Sequence, residues 1–384
     1  MKSTTFFLCF VFLISPYTCL SADALEFDID AKSAILMEAS SGRVIYEKNP
    51  HDKLPPASIT KIMTMLLVME AIDKKEISLD DKVLISERAS SMGGSQLYLE
   101  PGEEKTVEEL LKGVAIASAN DASVALAEHV SGTEELFIKK MNERAKELGM
   151  KNTQFMNTNG LPQEGHLTTA YDIGLMSREL LKHPKIHDWL TIWMTTMKVG
   201  LPNKRITNLE LTNTNRLIKT YPGANGIKTG YTADAKYCLS ASATKNNLTL
   251  IAVILGSPTS QIRFAEAQKL LNYGFSTYSS VPIAKKNQVI REIPVEKGKE
   301  QKVAAITENA LNVIVKKGEE DKVQKEIVLP DKIKAPFAAG EKIGEIIVKK
   351  DNEEIGRVNI ITEKEIEPAS FLNIFQNIMK QVIE

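Results

Sequence analysis

Residues 55–72 read PPASITKIMTMLLVMEAI: two prolines, a short polar start and a long apolar run. Proline is tolerated at the entry of a helix and not in its interior, so the pair marks a beginning. The run that follows is apolar on every side, the pattern of a helix buried in a core. At its mouth stand Ser58 and Lys61, and on a helix positions i and i+3 share a face. Such a pair is either an N-cap with a passing lysine or a nucleophile with its base. A second Ser-x-x-Lys string, Ser242 and Lys245 in SATK, falls in a predicted strand, where residues three apart point to opposite faces. Only the first pair can cooperate. Ser58 also sits where a backbone N–H lacks an intrahelical acceptor and is free for a developing oxyanion. Lysine serves as a base only when neutral, and burial or a neighbouring cation lowers its pKa. Lys228, in GIKTGYT, is the candidate cation.

Around this helix the chain alternates in period. AILMEASSGRVIYEKN predicts a hairpin about Ser40-Ser41-Gly42. Residues 106–117 and 121–130 predict two helical stretches interrupted at SAND, and 134–148 a helix ending at Gly149. YDIGLMSRELLKH is amphipathic and helical. GIKTGYT, KYCLSASATK and LTLIAVILG then read as successive strands, the last two joined by Asn246-Asn247, and TSQIRFAEAQKLLNYGF as a closing helix. One hairpin, a helical block, further strands and a final helix predict an α/β sheet of mixed order, not repeated βαβ units. Residues 281–366 carry short strand-like runs separated by turns such as Lys316-Lys317-Gly318 and predict a small β-rich domain.

The chain is 384 residues long, 43% hydrophobic and 25% charged, which suits two or more globular domains. A net charge of −1 with no basic block excludes nucleic-acid binding. Lys2, the apolar run FFLCFVFLI and Ala22-Asp23-Ala24 form an export signal over residues 1–24. Cys9 and Cys19 leave with it, so Cys238 remains as a buried thiol and no intramolecular disulfide is expected. His183 and His187 flank Pro184 outside any metal motif, so neither metal nor cofactor is predicted. After Pro368, residues Phe371, Ile374, Phe375, Ile378, Met379 and Val382 fall within an arc of about 140°. That predicts an amphipathic helix over 367–384, able to lie in a membrane surface and too short to span one.

Ser58-Ile59-Thr60-Lys61, Ser118-Ala119-Asn120 and Lys228-Thr229-Gly230 occur in that order along the chain. The set resembles that of the serine acyl-transfer enzymes, penicillin-binding proteins and serine β-lactamases. The flanks PPASITKIMT, IASANDAS, GHLTTAYDIG and GIKTGYT resemble the low-molecular-mass D-alanyl-D-alanine carboxypeptidases over residues 25–280. The β domain and tail match that family's layout. The resemblance implies an α/β (α+β) DD-peptidase/β-lactamase-like domain, with an antiparallel sheet and a helical subdomain. It implies that Ser58 attacks the carbonyl between two terminal D-alanines while Lys61 takes its proton. Ser118 would relay a proton to the leaving amine, and Asn120 would hold Lys61 and the substrate amide. Lys228 would supply positive potential, the Thr229 hydroxyl would bind the terminal carboxylate, and Gly230 would let substrate lie along the strand edge. The Tyr231 N–H would join that of Ser58 as oxyanion donor, and Arg263 would help hold the carboxylate. Relatives often carry histidine where Tyr231 stands.

The partners implied are peptidoglycan stem peptides, β-lactam antibiotics as inhibitors, and the periplasmic face of the bacterial cytoplasmic membrane. The alternatives are a β-lactamase on the same fold, with Glu164 in GLPQEGH, or a silent wall-binding module. The glycine- and serine-rich stretch SERASSMGGSQ, residues 86–96, borders the family's site without a role assigned to any one residue.

Overall fold

A computed structural model describes residues 28–370. The predicted export signal, residues 1–24, and residues 371–384 of the amphipathic helix predicted over 367–384 lie outside the described residues.

Strands β1 (Ser33–Glu38) and β2 (Val44–Lys48) form the first hairpin. Short pairs follow, β3 (Lys82–Leu84) with β4 (Glu104–Thr106) and β5 (Met194–Val199) with β6 (Thr207–Thr212). The strands β7 (Ala224–Thr232), β8 (Lys236–Lys245) and β9 (Leu248–Ser257) complete a five-stranded sheet of order β2-β1-β9-β8-β7. Every pairing in it is antiparallel, which leaves β7 as an open edge. Asn246 and Asn247 both take positive φ between β8 and β9, the conformation that a two-residue hairpin turn demands.

The sheet is covered on both faces, which explains why β1 and β9 read as unbroken apolar runs. Ile35, Met37, Ile251, Val253 and Leu255 join the helical block. Their alternate neighbours Ala34, Leu36, Leu250, Ala252 and Ile254 pack on Phe264, Ala267, Leu270 and Leu271 of the closing helix Ser260–Thr277. Period two thus survives as a choice between two cores rather than between core and water.

The first long helix, α1 (Lys61–Asp73), is buried along nearly its whole length, as an all-apolar sequence requires. Around it lie α2 (Glu87–Ser90), α3 (Val107–Lys112), α4 (Asn120–Ser131), α5 (Glu134–Glu147) and α6 (Ala170–Leu180). Between α3 and α4 the chain makes a π-helical turn, Gly113–Ala117, and then breaks at Ser118 in the left-handed region, φ 64°. That break is the interruption expected at SAND.

The second domain is all-β and starts at Tyr278, directly after the helix ending at Thr277, three residues earlier than the composition change suggests. A six-stranded sheet and a two-stranded one enclose Ile293, Val303, Ala305, Ile346, Val348, Val358 and Ile360. No helix among the described residues is long and apolar enough to cross a membrane.

Candidate active site

Three segments converge at the mouth of α1. Residues Ala57–Thr60 form a single 3₁₀ turn that runs into α1 at Lys61. In a 3₁₀ turn side chains at i and i+3 eclipse, so the Ser58–Lys61 spacing is even better served than on an α-helix. Ser58 Oγ and Lys61 Nζ are 3.1 Å apart. Lys61 Nζ also donates to Asn120 Oδ1 at 2.7 Å and to the Asn159 carbonyl at 2.6 Å. Three oxygens thus surround the amine, and in its neutral form the lone pair can face the Ser58 hydroxyl while the Asn120 and Asn159 oxygens keep their hydrogen bonds. Lys61 is fully buried, and its pKa is held well below the ordinary lysine value, first by desolvation and then by Lys228. Asp121 acts in the opposite sense. Burial and Lys228 both favour the neutral amine, the form that can take a hydroxyl proton.

The backbone around Ser58 is held in an uncommon shape. Ala57 has φ 48°, a left-handed conformation that costs a non-glycine residue on the order of 1 kcal/mol or more. Behind it Gly160, φ 88°, comes so close that a Cβ there would sit 1.9 Å from the Ala57 carbonyl oxygen. No other residue fits. His166 closes the support: the Met156 N–H donates to its Nδ1, which leaves the proton on Nε2, 2.8 Å from Thr60 Oγ1. The Thr60 hydroxyl in turn donates to the Ala57 carbonyl at 2.8 Å. Burial pushes the His166 pKa down to about 4, so the ring is neutral and its tautomer defined.

Ser118 is buried at the left-handed break, two residues before Asn120. The stretch 86–96 now has a function. The Asn120 N–H donates to the Ser95 carbonyl at 2.7 Å and its side-chain amide to the Gly93 carbonyl at 2.6 Å. That fixes the Asn120 oxygen on Lys61. Asp121, fully buried, accepts from the N–H groups of Leu97 and Leu99 and pins the same loop.

On the other side, β7 presents Lys228, Thr229, Gly230 and Tyr231 along the sheet's open edge. Lys228 is buried, and its pKa falls to about 7, by desolvation first and by Arg263 second. The Thr229 hydroxyl donates to Thr214 Oγ1 at 2.8 Å. A Cβ on Gly230 would lie 3.1 Å from the Ser58 nitrogen, so glycine lets the edge strand approach the nucleophile's own backbone. Tyr231 is 55% exposed and tilts against Tyr237, ring centroids 4.5 Å apart.

Arg263 lies against the β7–β8 ladder, where Nη1 donates to the Gly230 and Cys238 carbonyls at 3.0 and 3.1 Å. Residue type and spacing could suggest a cation there but not the direction in which it points.

The other candidates resolve cleanly. Ser242 bonds Asn225 at 2.6 Å while Lys245 reaches the Tyr221 hydroxyl and ring, so the strand-borne pair is split as period two requires. Cys238 is a buried free thiol whose pKa burial raises to about 11. His183 pairs with Asp73 and His187 with the Leu181 carbonyl. Glu164 is exposed on the rim of a cavity of about 420 Å³ that also borders Ala57 and Gly160. Asn159, His166, Thr214 and Asp121 carried no recognisable role in the sequence. Their signal is a contact between distant segments, and only His166 in GHLTTAYDIG and Asp121 in IASANDAS fall in stretches that the sequence marks.

The chain resembles known proteins along nearly its whole length. The model of the D-alanyl-D-alanine carboxypeptidase family matches residues 19–259, and that of the penicillin-binding protein 5 C-terminal domain matches 278–368. The chain is 48% identical over 351 residues to D-alanyl-D-alanine carboxypeptidase DacF of Bacillus subtilis, covering 91% of this chain and 89% of that protein. It is 34% identical to DacC of Escherichia coli, covering 94% and 91%. The crystal structure of penicillin-binding protein 5 from Haemophilus influenzae superposes with a TM-score of 0.74 at 30% identity, over 90% of this chain and 99% of that one.

Proposed function

The chain belongs to the D-alanyl-D-alanine carboxypeptidase family, and from that premise we propose how its residues perform the reaction on peptidoglycan stem peptides. Ser58 Oγ attacks the carbonyl carbon of the penultimate D-alanine as Lys61 Nζ takes the hydroxyl proton. The carbonyl oxygen becomes an oxyanion held by the Ser58 and Tyr231 N–H groups. When the intermediate collapses, the C–N bond breaks, Ser118 passes a proton to the departing amine and D-alanine leaves. Water then cleaves the ester, its proton returning through Lys61. Thr229, backed by Lys228, receives the terminal carboxylate. Asn120 keeps Lys61 in place and offers the remaining N–H of its amide to the substrate.

The observation that carries this reading is the buried Lys61 amine with two acceptors and one facing hydroxyl. A β-lactam places its own strained carbonyl at the same point and acylates Ser58, which makes such antibiotics inhibitors. Mass spectrometry of the penicillin adduct should find the added mass on the peptide holding Ser58, and pentapeptide should release D-alanine. Both should vanish in Ser58→Ala. An adduct that persists in that variant would remove Ser58 from the role.

The N-terminal signal and the run 371–384 support an exported protein resting on the outer surface of the cytoplasmic membrane. Deleting 368–384 should move the protein from the membrane to the soluble fraction with peptidase activity intact. Unchanged partitioning would refute the anchor.

A further inference from the structure

Arg263 is only 7% exposed and lies behind the catalytic edge strand, its guanidinium 5.5 and 4.7 Å from the centroids of Tyr237 and Phe264. Nη1 is shared between Gly230 O and Cys238 O, which face each other across the β7–β8 ladder, and Nη2 reaches Ser260 Oγ at 3.4 Å. Burial lowers its pKa to about 10, which leaves it charged at neutral pH.

The Gly230 carbonyl and the Tyr231 N–H belong to one trans peptide unit, so they point in opposite directions. The carbonyl points back toward β8 and Arg263. The N–H therefore points out from the open edge of β7, the side on which Gly230 meets the Ser58 backbone.

We propose that Arg263 is a positioning residue that polarises the Gly230–Tyr231 peptide and strengthens the Tyr231 N–H as an oxyanion donor. The proposal rests on the Ser58 acyl-enzyme reading. A cation on an amide oxygen draws electron density from nitrogen through the conjugated bond, so the N–H becomes a better donor. A charge-assisted bond in a dry site transmits this more strongly than a neutral one. Because Arg263 is already bound before substrate arrives, nothing has to reorganise as charge builds on the oxyanion. The arrangement also locks the peptide plane. Neither effect requires contact with substrate.

Two readouts separate this role from a carboxylate contact and from simple support. The first is the ester carbonyl stretch of the penicilloyl-enzyme, read by isotope-edited infrared difference spectroscopy in unmodified protein, Arg263→Met and Arg263→Lys. Weaker hydrogen bonding raises that frequency, so Met should shift the band upward and Lys should give a smaller shift. The second is turnover of a D-alanyl-D-alanine peptide against an analogue whose terminal carboxylate is a primary amide. If polarisation contributes 10–30% of a donor worth 10²–10³ in rate, kcat should fall about two- to eightfold for both substrates. A loss confined to KM of the carboxylate substrate, with an unmoved carbonyl band, would overturn the proposal in favour of a carboxylate contact. Should Arg263→Met not fold, the Lys variant decides alone: a band at the unmodified position with reduced turnover overturns it. Failure of unmodified protein to form any acyl-enzyme would instead remove the Ser58 reading itself.

Discussion

Acid should weaken the support beneath Ser58 through His166, by an amount the structure allows to be worked out. The imidazole is 4% exposed, neutral, and joined through Thr60 to the Ala57 carbonyl. Its pKa is pushed down to about 4 from an ordinary 6.5 by burial. In the unfolded chain the ring titrates near the ordinary value, so between pH 6.5 and 4 the unfolded state binds a proton that the native state refuses. Stability from this group is therefore complete above about pH 6.5 and is lost as pH falls toward 4. The depression corresponds to about 3 kcal/mol, lost at no more than about 1.4 kcal/mol per pH unit. Asp121 and Asp172 are raised by burial and have the opposite sign, so the protein's total pH dependence mixes both. The assay must be a difference. Urea unfolding of unmodified protein and His166→Gln, followed by tryptophan fluorescence at several pH values from 7.5 to 4, isolates the imidazole. Both tryptophans, Trp189 and Trp193, lie in the catalytic domain, so the signal reports the right unit. The advantage of the unmodified protein at pH 7.5 should shrink by about 3 kcal/mol toward pH 4. A stability difference that stays constant over that range would refute the claim that a neutral, locked imidazole supports the nucleophile's turn.

Asn120→Asp places a carboxylate 2.7 Å from the Lys61 amine and favours its charged form. The acid limb of the acylation profile should move up by about one to three pH units, measured as penicillin acylation rate against pH; an unmoved limb would mean that Lys61 is not the titrating base. Thr214→Val removes the acceptor of the Thr229 hydroxyl. If that bond orients Thr229 for the substrate carboxylate, kcat/KM for a carboxylate substrate should fall about three- to tenfold, mainly through KM, with Thr214→Ser restoring it. Equal losses on a substrate lacking the carboxylate would assign Thr214 a purely structural part.

What was legible in the sequence was whatever periodicity controls. Helical phase put Ser58 and Lys61 on one face and strand phase separated Ser242 from Lys245, and both pairs behave accordingly. The five strands, the break at Ser118 and the hairpin asparagines follow from local rules of turn and alternation. The domain boundary drifted by three residues because strand composition changes only after the first few residues of a strand that continues directly from a helix. Illegible were the contacts that set the chemistry. Asn159 meets Lys61 through a main-chain carbonyl, which every residue possesses, so no residue type could announce it. The stretch 86–96 acts the same way, through the carbonyls of Gly93 and Ser95.

Arg263 carries the point further. Its identity suggested charge recognition, and its guanidinium lies on the carbonyl oxygens of Gly230 and Cys238. A sequence records which side chains are available; the folded backbone decides which carbonyls they find. On the proposed mechanism, backbone groups take three of the working positions: the Asn159 carbonyl on Lys61, and the Ser58 and Tyr231 N–H groups at the oxyanion. Side-chain substitution reaches these groups only through neighbours such as Gly160, Gly230 and Arg263. The positions most sensitive to replacement should therefore include residues that never touch substrate, with Gly160 foremost, because any Cβ there collides with the carbonyl that precedes the nucleophile.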